Sequence, residues 1–124
     1  MNKSGSWILF IISAVVILVL LGLHMMIVHL DGILGIFSPA GGSALAWENV
    51  IQRSQSNFFT VTYIILLAAA LYHGFYGLRT IIFELGPRKQ VEKVWTAFFW
   101  IAGIFLFIVG TSAAIAVRTV EAAL

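Results

Sequence analysis

Three side chains that can do chemistry lie close together in an apolar stretch of the chain, A-A-A-L-Y-H-G-F-Y-G-L-R-T-I-I-F-E from Ala68 to Glu84. His73 offers an imidazole that can bind a metal or carry a proton, Arg79 offers a cation for an anion, and Glu84 offers a carboxylate. Inside a bilayer such a group costs roughly 2.5 kcal/mol or more unless it has a partner. If this stretch crosses a membrane, it is therefore the first candidate for a functional site.

The composition indicates a membrane protein. The chain has 124 residues, of which 61% are hydrophobic and 10% are charged, whereas soluble domains average about 25% charged residues. We expect one domain, residues 1–124, since the chain is too short to enclose several apolar segments in a globular core. It contains no cysteine, which excludes disulfides and thiolate metal sites. Without a basic run, the net charge of +2 gives no nucleic-acid surface.

Three apolar segments are long enough to cross the roughly 30 Å hydrocarbon core as helices, and they cover about residues 7–30, 58–83 and 94–117. The first segment follows Lys3, and an apolar segment after a basic residue is also found in signal peptides. This segment is too long and lacks a cleavage site, so we expect a retained helix. The pair Gly86-Pro87 predicts the end of the second helix. The sequence thus predicts an all-α membrane protein with three transmembrane helices.

Lysine and arginine are distributed unevenly between the predicted ends of the helices. One end carries Lys3 and three charges of the second loop, Arg88, Lys89 and Lys93, and the other carries Arg53 and Arg118. The richer side is expected to be cytoplasmic, which places the N-terminus inside and the C-terminus outside. Trp47 in the first loop suits the membrane–water interface. In the third segment, Gly103 and Gly110 share a face, with Ala114 close to it, and predict close packing against another helix.

One face of the second helix combines the histidine with small residues. Four residues lie within about 40° of His73 on the helical wheel: Ala69, Gly77, Thr80 and Glu84. The small neighbours predict open space beside the imidazole, as a flat, bulky ligand requires. Arg79 lies about 9 Å further along the axis and about 120° round. A neutral imidazole on heme iron, with the arginine near the propionates, fits this layout. Alternatively, His73 hydrogen-bonds a neighbouring helix while Arg79 extends to the headgroups, or the polar groups relay protons.

The pattern H-x3-G-x-R-x4-[D/E], present as His73, Gly77, Arg79 and Glu84, resembles the heme-binding second helix of succinate dehydrogenase cytochrome b membrane-anchor subunits. The resemblance extends over about residues 5–120 in architecture and includes the G-P-R-K turn. It implies that His73 is an axial ligand of heme b on the cytoplasmic side, that Gly77 makes room for the heme, and that Arg79 lies near its propionates.

The resemblance also implies partners. Several anchors of this family begin their first helix with H-R-x-S-G, where this chain has only Lys3, Ser4, Gly5 and Ser6. We therefore expect the quinone pocket, near the cytoplasmic side, to be completed by a second anchor subunit and an iron–sulfur subunit. With a flavoprotein, these would couple succinate oxidation in the tricarboxylic acid cycle, or its reverse, to the quinone of the respiratory chain in the inner (cell) membrane. This chain has no nucleotide fingerprint and no cysteine ligands, so we expect a non-catalytic subunit.

The first helix carries two more histidines, His24 and His29, about 140° apart on the wheel, so they cannot both face one ligand. Gly22 lies about 20° from His29. The segment I-V-H-L resembles the first helix of two-heme anchors, which implies that His29, beside Gly22, binds an outer heme and His73 an inner one, both shared with the second anchor. The alternatives are His24 as the outer ligand, an interfacial His29 in a single-heme anchor, a heme-free assembly subunit, and a small proton-coupled transporter subunit.

Overall fold

The computed structural model describes residues 3–34 and 42–120, and these contain helices and no strand. The helices are α1 (Lys3–Leu34), α2 (Trp47–Gln55), α3 (Asn57–Glu84) and α4 (Lys89–Val120). Three segments within them are long and apolar enough to cross a membrane, Lys3–Leu30, Asn57–Glu84 and Lys89–Thr119. The all-α prediction with three spans is therefore confirmed, and the chain is a multi-pass membrane protein.

Each long helix extends beyond its predicted bounds. The predicted ends were placed where the apolar segments meet charged residues, but Lys3, Glu84 and Lys89 are themselves helical. Lysine and glutamate are good helix formers, so a helix continues through them into the headgroup region. Gly86 has a φ of +67° directly after α3, a backbone conformation that favours glycine. The predicted helix stop is therefore confirmed.

The three long helices form a layer with α3 in the middle. Within the described residues, α3 packs against α1 on one side and α4 on the other, and α1 does not pack against α4. The hydroxyl of Tyr72 donates a hydrogen bond of 3.0 Å to the carbonyl of Ser6, while His24 contacts Tyr63, so α1 and α3 are antiparallel. The start of α1, the end of α3 and the start of α4 therefore share one end of the layer.

The contact between α3 and α4 depends on glycine. A Cβ atom at Gly103 would lie 3.2 Å from the ring of Phe75, and one at Gly110 would lie 2.5 Å from a methyl group of Leu67. Because glycine has no side chain, the two helices can approach closely at these positions, as in other membrane helix pairs. The close-packing prediction for these two glycines is confirmed, and the neighbouring helix is α3 of the same chain.

The far end of the layer is closed by polar contacts that the sequence did not predict. The short helix α2 turns Asn49 and Arg53 inward, where Asn49 donates to the carbonyl of Ser43 at 3.0 Å and Arg53 donates to the carbonyl of Ala44. Arg118, near the end of α4, donates to the side-chain oxygen of Asn57 at 2.6 Å. The first two bonds attach α2 to the segment that precedes it, and the third attaches the end of α4 to the beginning of α3.

Replacing Gly110 with leucine should weaken the α3–α4 contact, because the new side chain must displace Leu67. Overpacking of this kind costs about 1–3 kcal/mol, and we expect a lower thermal midpoint of unfolding in detergent. The matched control is Gly74→Leu, since a Cβ at Gly74 has no neighbour within 4 Å. Equal effects of the two substitutions would contradict the role given to Gly110.

Candidate functional site

His73 lies near the middle of α3, half-buried, with its imidazole turned toward α1. The ring stacks on Phe10 with a centroid distance of 4.2 Å and an angle of 8° between the planes. Its Nδ1 atom lies 3.3 Å from the carbonyl oxygen of Phe10 and 3.3 Å from Oγ of Ser13. Ser13 is buried and donates its own proton to the Phe10 carbonyl at 2.6 Å. The imidazole is therefore held at Nδ1 by two groups of α1.

These contacts select one tautomer of His73. The Phe10 carbonyl can only accept a hydrogen bond, and the Ser13 hydroxyl has already given its proton to that carbonyl. Both oxygens are therefore acceptors toward Nδ1, and a proton on Nδ1 satisfies them. In the neutral ring Nε2 then carries a lone pair, and within the described residues Nε2 makes no hydrogen bond. An imidazole anchored through Nδ1–H to a carbonyl, with Nε2 free, is the usual state of a metal-binding histidine.

The space beside His73 differs from what the sequence predicts. A Cβ at Gly77 would lie 3.5 Å from the ring of Phe10, so the gap left by the glycine is filled by an aromatic side chain of α1. The expectation of open space on this face is therefore wrong on its α1 side. A helical wheel shows which residues share a face but not which side chain of another helix packs there.

Arg79 lies on the other side of α3, against α4. Its Nε donates to the hydroxyl of Thr96 at 3.1 Å, and its guanidinium carbon lies 4.1 Å above the ring of Phe83. Arg79 is half-buried, while Glu84 is exposed at the end of the helix. The predicted rotation of about 120° between the two residues thus directs His73 toward α1 and Arg79 toward α4, and the structure does not bring them together.

The two histidines of α1 have different surroundings. His24 faces α3, where its ring meets Tyr63 edge-on at 5.4 Å and lines a cavity of about 20 Å³. His29 is exposed on the surface of α1. Gly22 is also exposed, and a Cβ there would have no neighbour within 4 Å. His29 and Gly22 are therefore accessible to lipid or to another subunit, whereas His24 is turned into the α1–α3 contact.

A groove of about 500 Å³ opens between α3 and α4, with Ser6 of α1 at its margin. Its walls are mostly aromatic and aliphatic, and Arg79 and Thr96 form a polar end. Sequence reasoning missed this groove, although its signal was present: Tyr72, Phe75 and Arg79 recur at helical spacing on α3. His73 is not among the lining residues, so the groove is separate from the imidazole site.

The described part of the chain contains no group of three or more His, Asp or Glu side chains that could hold a metal ion. That finding concerns sites built from protein ligands alone. An axial heme ligand requires a single suitably oriented histidine.

A family model described as succinate dehydrogenase/fumarate reductase transmembrane subunit matches residues 3–111. The chain belongs to this family. The match covers α1, α2, α3 and most of α4, and it confirms the resemblance drawn from the second helix. Comparisons with curated proteins and with solved structures gave no significant match. Membership of the succinate dehydrogenase/fumarate reductase family gives the chain a membrane-anchor role in such a complex.

In this transmembrane subunit, the surroundings of His73 fit the heme b that the resemblance implies. The histidine lies in a membrane span, its Nδ1 is anchored, and its Nε2 has no hydrogen bond to a described residue. The adjacent ring of Phe10 and the buried hydroxyl of Ser13 fix the orientation of the imidazole. His73 is half-buried, so part of its side chain stays open to another subunit.

The contact between Gly77 and Phe10 can be tested in the succinate dehydrogenase transmembrane subunit by a double-mutant cycle. Gly77→Ala should be tolerated, since 3.5 Å is an ordinary contact distance, whereas Gly77→Leu should lower the thermal midpoint because the longer side chain displaces Phe10. Adding Phe10→Ala to Gly77→Leu should recover part of that loss. Additive effects at the two positions would show that they are not in contact.

Proposed function

We propose that this chain is the heme b-binding membrane-anchor subunit of a succinate dehydrogenase or fumarate reductase complex. It would support electron transfer between the iron–sulfur subunit and a membrane quinone, with the flavoprotein carrying the succinate chemistry. The observation that carries the proposal is the state of His73 inside its span, where Nδ1 is held by Ser13 and the Phe10 carbonyl and Nε2 makes no hydrogen bond with a described residue. Family membership supports it independently.

In this proposal His73 would hold the heme iron through Nε2, while α1 holds the imidazole in place. Heme b supplies a one-electron carrier whose potential depends on axial ligation, burial and nearby charge. Ser13 and the Phe10 carbonyl fix the ring by hydrogen bonding Nδ1, and the Phe10 ring keeps water from one face of the imidazole. The second axial ligand would come from a second anchor subunit. The quinone site would lie on the cytoplasmic side, the side of the N-terminus.

We further infer that a second heme, where present, is bound by His29 rather than His24. His29 is exposed and shares its face with Gly22, so a partner subunit can approach it. His24 contacts Tyr63, and the cavity beside it, about 20 Å³, is too small for a porphyrin. A single-heme anchor using His73 alone is the alternative within the family.

A proton relay through His73, Arg79 and Glu84 is less well supported. Such a relay requires titratable groups within hydrogen-bond reach of one another or of shared water. The neighbours of His73 are a serine hydroxyl, a backbone carbonyl and a phenyl ring. Arg79 lies toward α4 instead. The heme proposal, in contrast, is consistent with the hydrogen bonds that hold His73 at Nδ1.

His73→Ala should abolish binding of the heme next to α3, because it removes an axial ligand. The measurement is a reduced-minus-oxidised spectrum of the complex purified through a tag on this chain, with heme b counted per copy. His24→Ala is the matched control and should retain all heme. Loss of a second heme in His29→Ala would support two sites. Full heme in an intact His73→Ala complex would refute the proposal.

Ser13→Ala should weaken heme binding without abolishing it. Removing the partner of a ligating histidine typically costs 10–100-fold in metal affinity. Ser13→Thr, which keeps the hydroxyl, should restore it. Heme retention and the electron paramagnetic resonance signal of the oxidised heme would report the change. An unchanged signal and unchanged retention in Ser13→Ala would show that the hydroxyl serves only the α1–α3 contact.

A further inference from the structure

Arg79 is a cation without a counter-ion in the described part of the chain. Its Nε is bonded to Thr96 and its guanidinium rests on Phe83, but its terminal N–H groups make no hydrogen bond or ion pair with a described residue. An arginine costs about 2.5–3.5 kcal/mol at the centre of a membrane helix and less toward the helix end, where Arg79 lies; there it pairs with an anion or extends to the headgroups. The planar guanidinium binds carboxylate and phosphate groups with two parallel hydrogen bonds. The terminal N–H groups of Arg79 are therefore suited to an anion.

The groove beside Arg79 has the length of one membrane leaflet. It runs from Arg79 to Ala68 on α3 and from Thr96 to Phe107 on α4. Each stretch is about 16 Å long at 1.5 Å per residue, close to half of the roughly 30 Å hydrocarbon core. Its volume of about 500 Å³ lies within the usual range of ligand sites.

Arg79 marks the headgroup end of this groove. Phe83, on which the guanidinium rests, lies one turn closer to the end of α3, so the charge is drawn toward the membrane surface. Four further cations are exposed at the same end of the layer: Lys3, Arg88, Lys89 and Lys93. A cluster of basic residues at a membrane surface attracts anionic lipids by about 1 kcal/mol per charge.

We propose that this groove binds an anionic phospholipid, with its phosphate on Arg79 and an acyl chain along the apolar walls. A partner helix fits less well. Phe75 and Phe99 stack across the α3–α4 contact at 5.5 Å and line the groove. An apolar helix laid over them would leave the terminal N–H groups of Arg79 without an anion, whereas a phospholipid supplies one. The site is independent of the heme proposal, because His73 does not line the groove.

The test compares lipid bound to the complex purified in mild detergent. Phospholipid is extracted and counted per copy of this chain by phosphate assay and mass spectrometry, for the wild type, Arg79→Gln and Arg88→Gln. We expect anionic phospholipid in the wild type and in Arg88→Gln, and at least a tenfold loss in Arg79→Gln. Arg88 is the matched control because it is exposed at the same end and does not line the groove.

A second variant tests the apolar part without changing the charge. Ala68→Trp should fill the inner end of the groove and displace the lipid, and it also provides the test if Arg79→Gln does not accumulate. Phosphatidylglycerol, added back to delipidated complex, should bind the wild type at least tenfold more tightly than phosphatidylcholine. Equal lipid retention in all variants would overturn the proposal. Loss of heme with retained lipid in Arg79→Gln would assign the anion to a heme carboxylate instead.

Discussion

Among the described helices, α1 and α4 pack most extensively against α3, so a polar side chain of α3 within the membrane depends on these two helices for its partner. In hydrocarbon no water is present to hydrogen-bond an unsatisfied polar group. His73 meets this requirement through a serine and a backbone carbonyl of α1, and Arg79 meets part of it through Thr96 of α4. The two interfaces of α3 are thus chemically different.

The single layer also explains why the chain suits an anchor rather than a free-standing protein. Among the described residues, few apolar side chains are buried, namely Ile27, Ala44 and Phe99, and many large ones are exposed, so much of the apolar surface faces lipid or other subunits. The helices are held together by a few specific contacts. These are the glycine contacts between α3 and α4, the hydrogen bonds to α1, and the hydrogen bond of Arg118 to Asn57. Such a layer has two broad faces on which further helices and cofactors can be placed.

The parts of the fold that depend on local pattern could be predicted from the sequence. The spans follow from apolar length, the end of α3 from Gly86, and the close contact of α4 from Gly103 and Gly110. The parts that depend on how a neighbouring helix packs could not be predicted from the sequence. The helical wheel placed Gly77 beside His73 correctly, yet Phe10, which is far away in sequence, fills the gap.

Helix α2 was missed for a related reason. A hydropathy pattern indicates a helix when apolar residues form its buried face. In α2 the buried residues are the polar Asn49 and Arg53, and the apolar Trp47 is exposed. The groove between α3 and α4 was missed because a cavity is defined by what two helices jointly leave empty. The membrane side of each terminus follows from charge distribution alone and stays a prediction.

The separation of His73 and Arg79 has an electrostatic consequence under the two proposals. Helix geometry puts their side chains roughly 14 Å apart, where a unit charge acts with about 1 kcal/mol at an effective dielectric constant near 20. Without a bound anion, Arg79 would favour the reduced state of a cofactor on His73, since reduction adds a negative charge. A phosphate on the arginine largely cancels that effect. Lipid in one interface of α3 would therefore set, to a small extent, the redox potential in the other, although the two sites share no residue.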